Sequence, residues 1–118
     1  MNPRALPFIR MAIGAGAWAL PQLTGPLFGF QSMDNQESVY FGRLFGVRDV
    51  ILGVGLLSTE GDAQRLWWRL GIVCDAADAA AGVLGFRADA PKRAMVLSTA
   101  TAASAVAMGV AGLRAARS

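Results

Sequence analysis

Asp49, Asp75 and Asp78 each lie well inside a long apolar stretch. Arg48 adjoins Asp49, and Arg43 lies one and a half helical turns earlier. At the centre of a membrane helix each such group costs about 2.5–3.5 kcal/mol on insertion scales. Charges in these positions are therefore expected to pair or to do work. Asp75 and Asp78 stand at i, i+3 and share one helix face. Two carboxylates so placed can move protons or hold a hard cation. Arg48 nearby favours an ion pair instead, and neither a nucleophile nor a histidine accompanies them. Histidine is absent and there is one cysteine. This excludes His-ligated metals, Ser-His-Asp and Cys-His catalysis, and any intrachain disulfide. Cys74, mid-stretch beside Asp75, reads as a structural thiol. The sequence predicts no enzyme, no metal and no cofactor.

The elements that position these charges are apolar throughout. Of 118 residues, 54% are hydrophobic and 16% charged, with mean hydropathy +0.43. Soluble domains carry roughly 25% charged residues, so this chain has too little charge to cover a water-facing surface. Four stretches approach the 20 or so apolar residues a membrane helix needs, at about 6–30, 39–57, 66–86 and 93–113. The expected fold is an all-α four-helix transmembrane bundle in one domain, with short connectors and antiparallel neighbours. Asp34 with Glu37 has capping-box spacing for the second span, Gly61 and Asp62 stop the second and cap the third, and Asp89 with Pro91 begins the fourth. Arg4 and Arg10 before an apolar run imitate a signal peptide. The run continues past Pro21 and Pro26 to Phe30, so an uncleaved first span kinked at the prolines is expected. Phe28, Phe30, Tyr40, Phe41, Trp67, Trp68 and Phe86 fall near span ends, as an aromatic belt would. Arg4, Arg10, Arg65, Arg69, Arg114 and Arg117 outnumber the bases at the other ends, which places both termini on the cytoplasmic side.

Small residues line the charged faces. Gly42, Gly46, Asp49 and Gly53 recur at steps of four, three and four; Gly71, Asp75, Asp78, Gly82 and Gly85 do the same in the third span. Such stripes let helix backbones approach. Three acids face two bases, or three if Arg10 reaches in. Arg48 is expected to meet Asp75 or Asp78 across the second and third spans, with Gly46 and Gly82 bringing those two backbones together. Asp49 points about 100° away from Arg48 and is a poor partner for it.

The segment Arg43-Leu44-Phe45-Gly46-Val47-Arg48-Asp49-Val50-Ile51-Leu52-Gly53, followed by a span with Asp75 and Asp78, resembles small four-helix membrane proteins of the domain-of-unknown-function 4267 family, with a looser likeness to DoxX-like membrane proteins. The resemblance implies a four-helix bundle and no assigned activity. The function expected is that of a small integral protein of a bacterial cytoplasmic membrane: an accessory or scaffold subunit of a larger membrane complex, or a self-associating bundle, with a structural Arg/Asp cluster. The alternatives are proton- or cation-coupled transport and binding of a lipid or another apolar small molecule. The net charge of +3 sits mostly at helix ends, so anionic headgroups are the expected partner and nucleic acid is not.

Overall fold

The computed structural model describes residues 2–30 and 36–116. Among these the chain forms five α-helices and no strand. They are α1 (Leu6–Ala19), α2 (Pro21–Leu27), α3 (Gln36–Ser58), α4 (Gly61–Arg87) and α5 (Lys92–Ala116), preceded by one 3₁₀ turn (Pro3–Ala5). The expected first span is therefore two helices. Proline has no N–H to continue the ladder and disfavours helical backbone in the residue before it, and the break falls at Leu20, with φ −131° and ψ 60°. Pro26 lies within α2 without ending it. The other three helices run past the expected spans at both ends, because polar first and last turns continue a helix that hydropathy alone would stop.

Helix ends are closed by long side chains more than by the expected caps. Glu60 flanks α4 without a side-chain hydrogen bond to it; Asp62 sits in the first turn and pairs with Arg65. Gln64 donates to the Leu56 and Thr59 carbonyls at 3.0 and 2.9 Å, covering the end of α3. Arg65 donates to the Ala116 carbonyl at 3.3 Å, covering the end of α5. Before α5, the Pro91 carbonyl accepts from Met95 N–H at 3.0 Å; Asp89 lies two residues further out. Asp34 of the expected capping box lies outside the described residues.

The helices associate as two antiparallel pairs. In α1–α3, Gly14 meets Gly46 and Val50, whereas Gly53 meets Pro7 and Met11. In α4–α5, Gly82 meets Thr99, Gly85 meets Met95, Gly109 meets Ile72 and Gly112 meets Trp68. The two pairs touch each other far less, chiefly along α3 and α4. The small-residue stripes thus work inside the pairs: Gly46 faces α1 and Gly82 faces α5, and neither brings α3 against α4. Gly42 is half-buried.

Apolar packing is concentrated at one end. Leu6, Leu56 and Trp68 are buried together, with Trp67, Met108, Leu113 and Ala116 around them. The start of α1 and the end of α5 therefore lie at the same end of the bundle. Trp67 lies over Gly55, and Trp68 over Gly112. Two glycines supply flat ground for two indoles, so this pair belongs to the core and not to a belt. Tyr40, Phe41 and Phe86 are exposed.

Among the described residues one helix, Lys92–Ala116, is long and apolar enough to cross a membrane by length and composition, with mean hydropathy 1.6 in its most apolar stretch. The helices α3 and α4 are of similar length but carry Arg48, Asp49, Asp75 and Asp78 within them, and the first apolar stretch is divided at Leu20.

Candidate functional site

The charges collect at the seam between the two helix pairs. Arg10 projects from α1, where Leu6, Arg10, Gly14 and Ala17 form its buried face. Its side chain is 4% exposed. Arg10 Nη1 donates to Asp49 Oδ1 of α3 at 2.9 Å and to Asp75 Oδ1 of α4 at 3.1 Å. Its Nη2 donates to Asp75 Oδ2. The guanidinium fork thus grips Asp75 with two parallel bonds, the strongest geometry this pair has, and holds Asp49 with a third. A Cβ on Gly71 would stand 2.9 Å from Arg10 Nη2. Gly71 is therefore where the guanidinium crosses α4, one turn before Asp75.

A second pair lies beside the first. Arg48 of α3 donates to Asp78 of α4, Nη1 to Oδ1 at 3.2 Å and Nη2 to Oδ2 at 2.5 Å. These side chains are about a third exposed, and the guanidinium lies 5.0 Å from the centroid of the Phe45 ring. Both bidentate pairs end on α4, one turn apart, and both bridge from one helix pair to the other. Apolar contact between the two pairs is gathered at one end, around Leu6, Leu56 and Trp68, so along the rest of the seam charge provides much of the specificity.

Arg48 thus takes Asp78, one of the two partners the sequence offered, and Asp75 goes to Arg10. Arg43 does not join the cluster. Its Nε donates to the Trp18 carbonyl at 3.1 Å, and its guanidinium lies 5.7 Å from the centroid of the Trp18 ring. The reason is the break at Leu20: the turn that would cover the last carbonyls of α1 is missing, and Arg43 covers one of them. Asp49 faces away from Arg48, as its helix position requires, and finds its cation on α1. Cys74 is half-buried and free. The central role of Arg10 was the least visible feature in the sequence, because an arginine ten residues from the amino terminus reads as an interfacial anchor. The steps of four, four and three through Leu6, Arg10, Gly14 and Ala17 are the signal that places it on a packed face.

The Arg48–Asp78 pair allows a graded test. Replacing both partners together (Arg48→Gln with Asp78→Asn) keeps a neutral hydrogen bond and should cost about 1 kcal/mol. Asp78→Asn alone leaves a guanidinium without its carboxylate and should cost more than the double replacement. Melting curves in one detergent decide the order; a single variant as stable as wild type would mean that this pair contributes nothing to the seam.

The fold and the site define an all-helical bundle with three charged side chains, Arg10, Asp49 and Asp75, buried between its helices. Comparison with known families, characterised proteins and solved structures gives no match in any of the three.

Proposed function

We propose that this chain is a small non-enzymatic integral membrane protein whose apolar segments cross the bilayer as two antiparallel helix pairs. It acts as an accessory or scaffold subunit beside a larger membrane complex, or as a homo-oligomer, in a bacterial cytoplasmic membrane with both termini on the cytoplasmic side. The observation that carries this reading is an inverted distribution of polarity. Among the described residues, far more large apolar side chains are exposed than buried, with Leu27, Phe41, Leu84 and Val73 at 73, 67, 66 and 65%, while Arg10, Asp49 and Asp75 are 4–5% exposed. In water such a surface would drive aggregation; against lipid it costs nothing.

Two further observations support it. The longest dimension is 44 Å, close to the roughly 40–45 Å of a bilayer with its headgroups. Only 22% of the most apolar stretch of α5 is buried, unlike the core helix of a soluble domain. Within this reading the Arg/Asp network fixes which helices meet, as buried polar groups can, and the small volume outside the bilayer suits a subunit that works by contact.

The test is extraction and co-purification. The protein is expected to stay in the membrane fraction through alkaline carbonate, and to carry a stoichiometric larger partner or further copies of itself when purified in mild detergent. Recovery from the aqueous fraction as a folded monomer overturns the membrane reading; purification as a membrane-derived monomer with no bound protein overturns the subunit reading alone.

One observation favours a second reading. Arg10 sets one formal positive charge against two carboxylates, so the triad is one charge short of neutral unless a proton or a cation joins it. Intramembrane carboxylates in that condition are the usual handles of coupled transport. Under this alternative, Asp49→Asn preserves folding and abolishes a proton- or cation-driven flux in liposomes, whereas under the structural reading wild-type liposomes show no such flux.

A further inference from the structure

A groove of about 320 Å³ runs between α1 and α3, lined by Ala15, Trp18 and Ala19 on one side and Val47, Val50 and Ile51 on the other. Its wall is apolar, and its volume reaches the lower range of small-molecule sites, about 300–1,000 Å³. Ala15 and Ala19 keep the α1 side low, and Val47 and Ile51 are exposed on the α3 side. An apolar groove alone accepts many occupants, so its end decides the chemistry. Arg43 lies on the α3 face that carries Val47 and Val50, at i, i+4 and i+7. The Trp18 carbonyl and the Trp18 ring hold Arg43 at the groove's end. That carbonyl engages Nε, and among the described residues Arg43 makes no ion pair. The Nε bond leaves the two Nη groups of this exposed guanidinium next to Trp18, a residue of the groove wall. This fork matches a pair of anionic oxygens.

We propose that the groove binds one phospholipid, with an acyl chain along Ala15, Ala19, Val47 and Ile51 and a phosphate oxygen accepting from the Arg43 Nη groups. The inference rests on reading the chain as membrane-spanning. The depth agrees with it. Arg43 is seven residues from Gln36, about 10 Å along α3, within the range from which an arginine reaches the headgroup level. Trp18, 52% exposed, has the side chain that prefers that same level. Ile51 is eight residues further on, about 12 Å deeper, which carries the chain toward the middle of the bilayer. Arg43 therefore serves two purposes with different atoms: Nε closes the broken end of α1, and the Nη groups hold the ligand.

The test uses the full chain in detergent, titrated with phosphatidylglycerol carrying dibrominated acyl chains while tryptophan fluorescence is read. Quenching should saturate at one lipid per chain. Arg43→Gln should weaken binding about tenfold, the loss of one charge-assisted hydrogen bond, with Arg43→Lys in between. Ala15→Leu, which fills the groove from an exposed position, should remove the saturable phase and melt as wild type does, whereas Arg43→Gln should melt slightly lower because it also gives up the bond to the Trp18 carbonyl. Brominated diacylglycerol, with the same chains and no phosphate, should bind the wild type and Arg43→Gln equally weakly. Quenching that rises in proportion to lipid without saturating, or that is identical in wild type, Arg43→Gln and Ala15→Leu, overturns the proposal by reducing the groove to ordinary lipid contact. Loss of a dimer on Ala15→Leu with lipid binding unchanged also overturns it and assigns the groove to a second copy. Either result, obtained with a protein that carbonate leaves in the membrane, leaves the membrane reading intact.

Discussion

Asp49→Ala combined with Asp75→Ala is expected to cost about 3–5 kcal/mol, the typical loss when one side of a buried ion pair is removed. For a chain of this size that is roughly 10–20 °C in melting temperature. Arg10 is held by these two carboxylates alone and is 4% exposed. A guanidinium cannot shed its charge at ordinary pH, so the double variant leaves a permanent cation between α1, α3 and α4. Arg10→Met should be milder. It leaves two carboxyl groups side by side, which can share a proton between them. The triple variant, Arg10→Met with Asp49→Ala and Asp75→Leu, should recover much of the loss, since a buried ionic cluster replaced as a whole by apolar residues is often neutral or stabilising. The comparison is a set of thermal melts in one detergent, read with the yield of monodisperse protein. Wild-type stability in the double variant would show that Arg10 is hydrated or engaged elsewhere, and the network would then not be what holds the seam.

The second large effect is expected at the crossing of α1 and α3. Gly14 and Gly46 face each other backbone to backbone. A Cβ on Gly46 would strike the Gly14 carbonyl and stand 2.9 Å from the Trp18 nitrogen, and a Cβ on Gly14 would stand 2.9 Å from Val50 Cγ2. Main-chain atoms cannot rotate away as a side chain can, so Gly46→Val must push the helices apart and unpack Met11, Trp18 and Val50 together. A cost at or above the roughly 1–3 kcal/mol of ordinary overpacking is expected, with most of the protein lost to aggregation on purification. Gly61→Ala is the control. Gly61 has φ +61° and no heavy atom within 4 Å of the place where its Cβ would stand, so it should cost only the left-handed backbone penalty of about 1–2 kcal/mol. Equal losses at Gly46 and Gly61 would remove the close crossing from the account of stability.

The helices, their approximate limits and the presence of internally paired charge were legible in the sequence, because each follows from local composition. Apolar runs of helical length, prolines after Leu20 and glycines at steps of three and four act within a turn or two of where they stand. The intrahelical geometry that turns Asp49 away from Arg48 is equally local, and it held.

Tertiary structure decided who meets whom. The stripe through Gly46 and Gly53 is visible in sequence, but nothing in it says that it faces α1 and not α4, because a small surface accepts any neighbour that fits. Trp67 and Trp68 have the composition of a belt and become core only because Gly55 and Gly112 lie opposite them, at separations no local pattern reports. The same holds for charge. Arg43 and Arg10 are both arginines in apolar company, and spacing put Arg43 nearer the carboxylates. The break at Leu20 exposes a carbonyl that captures Arg43, while the close crossing at Gly14 and Gly46 brings α1 deep enough for Arg10 to reach Asp49 and Asp75. Ion pairing is set by distance in three dimensions, and that distance is fixed by how two pairs of helices pack.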